Sequence, residues 1–331
     1  GRLFGRLDLA VAVFFALSGF LLWRGHAAAA RGLRRTPPTA HYLRSRVMRI
    51  MPGYLVAVVV ILCLLPDANA DLVVWLANLT LTQMWSLSVE VSFYLALPVL
   101  ALLARRLPVR ARITAIAVLA AASFGWGLIP FDVPFGVNAL TWPPAFFSWF
   151  AAGMVLAELA VSPVGWVHRL ARRRVLMALI AVTAFGVAAS PLAGPEGLIP
   201  GNLGQFVVKV AMGTVVAGGL LAPLVLDRPD TPHRILGSAP MVTLGRWSYG
   251  LFVWHLAALA MVFPMIGAFQ FNGHMPVVLV LTVVIGFAIA AVSYALVESP
   301  CRDALRRWER RNDITPLDSS VSDAPEPADA R

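Results

Sequence analysis

Long apolar runs separated by short arginine-rich segments are the feature that most constrains how this 331-residue chain can fold. An apolar run of about 17–25 residues can cross the hydrocarbon core of a bilayer as a helix. We count about nine such runs, at residues 8–23, 50–65, 86–104, 112–129, 142–160, 175–193, 205–226, 243–267 and 276–297. Only 13% of the residues are charged, about half the share in a soluble domain. The sequence therefore predicts an all-α, polytopic transmembrane helix bundle.

Basic residues are concentrated in alternate loops between these runs, and the intervening loops contain no Lys or Arg. Because loops rich in Lys and Arg stay in the cytoplasm, we expect a cytoplasmic C-terminus. Nine spans then place the N-terminus outside, which is unusual for a segment bearing Arg2 and Arg6. One further span ahead of Gly1 would place both ends inside. We assign residues 1–300 to the bundle and 301–331 to a cytoplasmic basic segment with a disordered tail.

The net charge of +10 could suggest a nucleic-acid partner, but the basic residues lie in short clusters between apolar runs. We therefore expect the lipid bilayer, and no nucleic acid, as the surrounding partner. Cys63 and Cys301 form neither a metal-ligand spacing nor a disulfide framework. We expect no metal site.

The stretch WSLSVEVSFYLALP, residues 85–98, places Glu90 near the start of an apolar run. If this stretch is helical, Ser86, Glu90 and Tyr94 share one face, and that face should point into the bundle or a water-filled cavity. Glu90 could be a structural carboxylate paired with an arginine of another helix. It could instead be an ionisable site residue, which is the usual role of a charged group inside a membrane. We favour the site role.

The stretch HYLRSRVMRIMPGY, residues 41–54, contains Arg44, Arg46 and Arg49 at the cytoplasmic boundary. Arg46 and Arg49 are three residues apart and share a face of a helix. Guanidinium groups there suit a polyphosphate. The alternative is ordinary anchoring of a membrane protein by positive charge.

Two further polar positions interrupt apolar spans. Ser18 and Gly19 lie in the first run, where Gly19 would let another helix approach closely; a packing notch is the alternative to a site. His255 lies in the span 243–267 and shares a face with Ser248. A neutral imidazole can donate and accept one hydrogen bond each, so His255 is either a satisfied core residue or a site residue.

Together these stretches resemble the acyltransferase-3 family of bacterial membrane O-acyltransferases. FFALSGFLLWR, residues 14–24, is similar to the family's FF-x-x-SG-F-L element, and RVMRIMPGY, residues 46–54, to its R-x-x-R-x-x-P-x-Y element. WSLSVEVSFYLALP is similar to W-S-L-x-x-E-x-x-F-Y-x-x-x-P. SYGLFVWH, residues 248–255, and VESPCR, residues 297–302, resemble its closing elements. The five elements occur in the family's order.

The resemblance implies a ten-helix bundle in the bacterial cell (inner) membrane. It implies transfer of an acyl group, most simply acetyl, from cytoplasmic acyl-CoA to a hydroxyl of a glycan or lipid-linked acceptor. Acyl-CoA would be a co-substrate, and no bound cofactor is expected. The donor would bind at Arg46, Arg49 and Arg44. Glu90 and His255 are the candidate catalytic residues in this chain, and the residues assigned to the lining of the site are Ser18, Ser88, Tyr94, Ser248 and Tyr249.

This sequence departs from the family in one respect that bears on activity. The family's first helix carries an Arg or Lys and a His regarded as the catalytic base, and neither element is present here. We therefore expect the chain as given to lack a principal catalytic residue and to be inactive or weakly active. Two other classes stay open. A buried Glu and His also suit a proton-coupled transporter or polysaccharide exporter, and a membrane scaffold without catalysis is the third possibility.

Overall fold

The computed structural model describes residues 5–36, 38–64, 84–129, 139–162, 164–195, 201–227, 233–267 and 275–312. Within these ranges the chain forms helices and no β-strand, which confirms the all-α prediction. The α-helices are α1 (Ala10–Ala29), α2 (Thr39–Leu64), α3 (Trp85–Ala104), α4 (Val109–Phe124), α5 (Phe147–Val161), α6 (Gly165–Ala171), α7 (Arg174–Ala188), α8 (Leu203–Val225), α9 (Ala239–Ile266), α10 (Met275–Ser293) and α11 (Ser299–Arg311).

Short helical turns complete the secondary structure of the described residues. The 3₁₀ turns are Leu7–Leu9, Trp126–Leu128, Ala139–Thr141, Pro143–Phe146 and Pro191–Ala193, and a π-helical turn spans Tyr294–Glu298. The π turn joins α10 directly to α11, so Met275–Arg311 is one continuous helical stretch. The sequence-based boundary at residue 300 falls inside this stretch. The tail predicted to be disordered lies, after Asn312, outside the described residues.

Eight helical stretches within the described residues are long and apolar enough to cross a membrane. They correspond to eight of the nine predicted runs. The ninth, predicted at 175–193, forms the 15-residue helix α7, which is about 22 Å long and shorter than the roughly 30 Å hydrocarbon core. Large apolar side chains face outward along these helices, for example Leu103 (70% exposed) and Val182 (68% exposed). A multi-pass membrane bundle accounts for both observations. The short apolar segment at 71–81 lies outside the described residues.

Helix α2 begins earlier than hydropathy predicts. The predicted span starts near residue 50, whereas the helix starts at Thr39. The first three turns contain polar and basic residues, which hydropathy excludes from a span but which form helix readily. Arg44, Arg46 and Arg49 are therefore helical residues, not loop residues.

The chain folds into two compact units. The first unit comprises Gly1–Thr36 and Leu81–Thr231, and therefore contains α1 and α3–α8. Helix α1 packs along α5, and α8 packs against α7, α1 and α5. Stacked aromatic rings fill its centre: the ring centroids of Phe15 and Phe150 are 4.5 Å apart, and those of Phe93 and Phe150 are 4.0 Å apart.

The second unit comprises Pro37–Thr80 and Pro232–Arg331, and contains α2 and α9–α11. Helix α9 packs along α10, where a Cβ on Gly250 would lie 2.9 Å from the Cβ of Ala290. The absence of a side chain at Gly250 thus allows these two helices to approach closely. Helix α2 contacts α9, the π turn and α11.

Candidate functional site

Glu90 lies on a buried polar face of α3, as predicted. Ser86, Glu90 and Tyr94 are 8%, 2% and 7% exposed, respectively. The hydroxyl of Ser18 donates to Glu90 Oε1 at 3.0 Å, and the hydroxyl of Tyr94 donates to the same oxygen. Ser88, also assigned to the site, is half-buried on the opposite side of the helix from Glu90, and its assignment to the lining of the site stays a prediction. The structure therefore brings Ser18 and Tyr94 together with Glu90 inside the first unit.

A close crossing of α1 and α5 fixes where Ser18 lies. A Cβ on Gly19 would overlap the carbonyl oxygen of Phe150, and a Cβ on Gly153 would overlap the carbonyl oxygen of Ala16. The two glycines therefore let the helix backbones touch, as small residues do in membrane helices. The prediction that Gly19 permits close helix approach is confirmed. With α1 held in this way, the Ser18 hydroxyl points to α3.

The partners of Glu90 decide what its carboxyl group can do. A hydroxyl can donate a hydrogen bond to a carboxylate and can accept one from a carboxylic acid. Ser18 and Tyr94 therefore suit both protonation states of Glu90. A group that accepts and donates a proton during catalysis needs partners that can hydrogen-bond to both of its protonation states.

A second buried glutamate, Glu158 of α5, lies in a different environment. Its Oε1 accepts from Trp23 Nε1 at 2.7 Å and from Arg112 Nε and Nη2 at 2.9 and 2.6 Å. Arg31 Nη2 lies 2.8 Å from Oε2 as an ion pair, without the alignment of a hydrogen bond. Glu158 is fully buried and Arg112 is 2% exposed. Guanidinium and indole groups only donate, so this cluster surrounds the Glu158 carboxyl group with donors and joins α1, α4 and α5.

The sequence analysis did not identify the Glu158 cluster, although a signal was available. Glu158 lies in the predicted span 142–160 and Arg112 begins the predicted span 112–129. Glu90 was singled out because an ionisable group inside a membrane span usually has a functional role. The same reasoning applies to Glu158 and Arg112. The structural alternative considered for Glu90, a carboxylate paired with an arginine, is what the structure shows for Glu158.

In the second unit, basic residues line the first turns of α2. Arg44 stacks over the ring of Trp308 at 4.8 Å, and His41 Nδ1 lies 2.8 Å from Glu309 Oε1. These contacts join α2 to α11. Arg46 is half-buried and Arg49 is exposed, so two of the three arginines predicted to bind the donor are at least partly accessible on α2, and the third, Arg44, packs on Trp308.

Glu298, in the π turn, is a buried carboxyl group that the sequence analysis also missed. It is 5% exposed, and its Oε1 has no hydrogen-bond partner. Arg302 and Arg49 interact with it electrostatically. A Cβ on Gly53 would lie 3.4 Å from Glu298 Cγ, so the glycine makes room for this side chain. The signal in the sequence was the VESPCR element, because it carries the resemblance to the family and contains this glutamate.

The remaining predicted residues lie on α9. Tyr249 is buried, and its hydroxyl donates to the carbonyl oxygen of Ile50 at 2.7 Å, which ties α9 to α2. Ser248 is exposed, and its hydroxyl donates to the carbonyl oxygen of Gly245 at 2.8 Å. The structure therefore gives Tyr249 a packing contact and Ser248 a bond within its own helix. Their assignment to the lining of the site stays a prediction.

His255 is half-buried, with Nδ1 2.5 Å from the carbonyl oxygen of Phe252. Because a carbonyl oxygen only accepts, Nδ1 carries the proton and Nε2 carries the lone pair of the neutral ring. The ring is thus oriented with its basic nitrogen away from its own helix backbone. Glu90 belongs to the first unit and His255 to the second, so the two candidate catalytic residues come from different units.

Comparison with known proteins identifies the family of this chain. The family model described as "Acyltransferase domain", of the acyltransferase-3 family, matches residues 5–295. The chain is also similar to Acyltransferase MdmB of Streptomyces mycarofaciens, with 27% identity over 356 aligned positions that cover 96% of this chain and 86% of the relative. No solved structure matches the chain significantly. A family match over most of the chain, together with membrane-spanning helices, establishes that this protein belongs to the acyltransferase-3 family and is a membrane acyltransferase.

Proposed function

We propose that this acyltransferase moves an acyl group, acetyl in the simplest case, from cytoplasmic acyl-CoA to a hydroxyl of a glycan or lipid-linked acceptor. The reaction would take place in the bacterial inner membrane, with the C-terminus cytoplasmic, and would O-acetylate a polysaccharide or its lipid-linked precursor. The observation that carries the donor assignment is the set of guanidinium groups on the first turns of α2: Arg44, Arg46 and Arg49.

Coenzyme A carries a pyrophosphate and a separate phosphate, so several cations are needed to bind it. Arginine suits phosphate because its planar fork donates two parallel hydrogen bonds and stays charged. Arg46 is half-buried and Arg49 is exposed, which supports access of a nucleotide to both side chains. Glu298 interacts electrostatically with Arg49 and would help to hold its guanidinium in place.

Transfer itself needs a group that accepts the hydroxyl proton. The acceptor oxygen attacks the thioester carbonyl carbon, a C–O bond forms, and the C–S bond breaks with release of CoA thiol. Glu90 is our candidate to take the proton, since Ser18 and Tyr94 suit it in both protonation states. His255 is the other candidate, through Nε2. Whichever group takes the hydroxyl proton would then donate it to the departing thiolate, so the reaction needs no further proton donor or acceptor.

The test is a transfer assay with purified protein in detergent, where no ion gradient exists. Radiolabelled acetyl-CoA is supplied with a glycan acceptor, and release of CoA thiol is followed with a thiol reagent. Thiol release that depends on the acceptor supports the proposal. Label that mild alkaline hydroxylamine removes identifies an O-ester, while stable label indicates an amide. Absence of acceptor-dependent thiol release with acetyl-, propionyl- and butyryl-CoA, both in the chain as given and in a form extended by the family's first helix, would contradict it, and is what the transporter alternative predicts.

A second arm assigns the base. Glu90→Gln and His255→Gln are compared with wild type at saturating acetyl-CoA. The variant that lowers kcat about 100-fold or more identifies the proton acceptor, because general-base catalysis contributes a factor of this size. If neither variant lowers kcat, both assignments fail, although the donor-binding proposal would stand.

A further inference from the structure

Arg6 is a buried arginine to which the proposed reaction gives no role. Its side chain is 1% exposed, just ahead of α1. Nη2 donates to the carbonyl oxygens of Ala193 and Gly194 at 3.1 and 2.5 Å. Nε and Nη1 are shielded from solvent and have no hydrogen-bond partner. Three of the five N–H groups of the guanidinium are thus left without an acceptor.

No carboxylate compensates this charge within the described part of the chain. Asp8 is the nearest acidic residue in sequence, but its Oδ2 pairs with Lys209 Nζ at 2.5 Å. Its other oxygen, Oδ1, is buried without a hydrogen-bond partner and does not reach Arg6. The Asp8–Lys209 pair is neutral as a whole, so the local excess of positive charge is that of Arg6.

These groups belong to one end of the first unit. Gly194, which accepts from Arg6, has φ +81°, and a Cβ there would lie 3.0 Å from Gln205 Oε1. Lys209 follows Gln205 by one turn on the same face of α8. The Asp8–Lys209 pair is partly open to solvent, with side chains 28% and 20% exposed. A solute can therefore approach this end beside the pair.

An uncompensated buried guanidinium is unfavourable by itself. Buried charges in folded proteins are paired and fully hydrogen-bonded, and an unpaired charge is strongly destabilising. Arg31, near the opposite end of α1, shows the usual solution: its Nε, Nη1 and Nη2 all donate hydrogen bonds, and Nη2 also pairs with Glu158. In Arg6, by contrast, Nη2 is the one nitrogen that donates hydrogen bonds to described residues. The difference points to a partner other than the described residues of the chain.

We infer that Arg6 is a binding site for an oxyanion, a carboxylate or a phosphate, carried by the acyl acceptor. This inference rests on the proposed function, because it assigns to the acceptor a charged group that Arg6 would hold. An anion bound beside Arg6 would accept hydrogen bonds from Nε and Nη1. The low polarity of this buried position would strengthen the attraction between the anion and the guanidinium. It would anchor the acceptor at the end of the first unit where α1 begins, about 30 Å along α1 from the Glu158 cluster.

The test measures binding separately from transfer. The unfolding temperature of purified protein in detergent is recorded with increasing glucuronate, glucose 1-phosphate or neutral glucose, at ionic strength matched with sodium chloride. We expect glucuronate, glucose 1-phosphate or both to raise it by about 3 °C at saturation, and glucose to have no effect. Whichever anion acts identifies the carboxylate or the phosphate as the recognised group. No rise with either anion would overturn the inference.

Variants locate the site. Arg6→Gln should raise the half-saturating concentration at least about tenfold, the loss expected for a charge-assisted hydrogen bond. Arg6→Lys, which keeps the charge but not the planar fork, covers the case in which the glutamine variant does not fold, and should also raise it. Arg169→Gln, at an exposed position of α6, is the matched control and should not. An unchanged half-saturating concentration in the Arg6 variants would overturn the inference.

Failure of this inference can be distinguished from failure of the proposed function. If no thioester cleavage occurs but the anions bind through Arg6, the anion-binding site exists and the proposed acyl transfer is wrong. If acetyl transfer occurs and the Arg6 variants change neither anion binding nor the KM for an anionic acceptor, the reaction stands and this site does not.

Discussion

Glu90 and Glu158 are both glutamates inside apolar helices of the first unit, yet the groups around them differ in kind. Glu158 is fully buried among two guanidinium groups and an indole. Glu90, 2% exposed, accepts from the hydroxyls of Ser18 and Tyr94. Guanidinium and indole groups only donate, whereas hydroxyls donate and accept. Among the described residues, it is therefore the chemistry of the partners, and not burial, that distinguishes these two carboxyl groups.

The largest expected effect tests the structural half of this comparison. Glu158→Gln removes the anion that Arg112 and Arg31 share, and leaves Arg112 buried without a counter-charge. We expect a loss of about 3–5 kcal/mol in the free energy of unfolding, measured by thermal or denaturant unfolding in detergent. Arg169→Gln, on an exposed face, is the control and should change stability by less than about 0.5 kcal/mol. A Glu158→Gln protein as stable as wild type would remove the distinction between the two glutamates.

The next largest effect concerns Glu90. Glu90→Gln keeps the size of the side chain and one acceptor oxygen for Ser18 and Tyr94, but cannot take up a proton. We expect kcat for acetyl transfer to fall about 100-fold or more, with a change in unfolding free energy smaller than that of Glu158→Gln. Release of CoA thiol gives the rate, and thermal unfolding gives the stability. A variant that loses stability and keeps its rate would make Glu90 the structural residue of the pair.

A smaller effect is expected for the arginines of α2 in the second unit. Arg49→Ala should raise the KM for acetyl-CoA about tenfold, as removal of one charge-assisted hydrogen bond would, with little change in kcat. Arg46→Ala should act in the same direction. Arg306→Ala, exposed on α11 of the same unit, is the matched control. Equal KM values for all three variants and wild type would leave anchoring by positive charge as the role of Arg46 and Arg49.

The smallest effect sharpens the assignment of the hydroxyls. Tyr94→Phe removes the donor to Glu90 without creating a large cavity, and should lower kcat about two- to tenfold, the range for one neutral hydrogen bond. Ser18→Ala should behave similarly. The readout that separates proton chemistry from packing is the pH profile of kcat, since these hydroxyls act on the carboxyl of Glu90. A lowered rate with an unshifted profile would assign Tyr94 to packing alone.

Several features of the fold could be read from the sequence because they depend on local patterns. Hydropathy identified the apolar helices, and helical periodicity placed Ser86, Glu90 and Tyr94 on one face, which the structure confirms. Gly19 was correctly identified as a point of close helix approach. Hydropathy failed at the start of α2, where arginines that cannot lie in lipid nevertheless continue the helix.

The pairing of polar groups required the tertiary structure. Ser18 and Glu90 are 72 residues apart in sequence, Arg112 and Glu158 are 46 apart, and Arg31 and Glu158 are 127 apart. No pattern within one helix specifies which distant side chain it meets. Glu90 was therefore assigned from the sequence, whereas the roles of Glu158, Glu298 and Arg6 became visible only in the structure.

The sequence alone determined that this chain is a helical membrane protein of one enzyme family, because hydropathy and short motifs are properties of neighbouring residues. The tertiary structure decided that Glu158 pairs with arginines and that Glu90 accepts from the hydroxyls of Ser18 and Tyr94. That outcome depends on how α1 crosses α5 at Gly19 and Gly153, since this contact sets which side chains of α1 face α3 and which face the Glu158 cluster. Helix crossings are set by packing over the whole unit, and so lie beyond any local pattern.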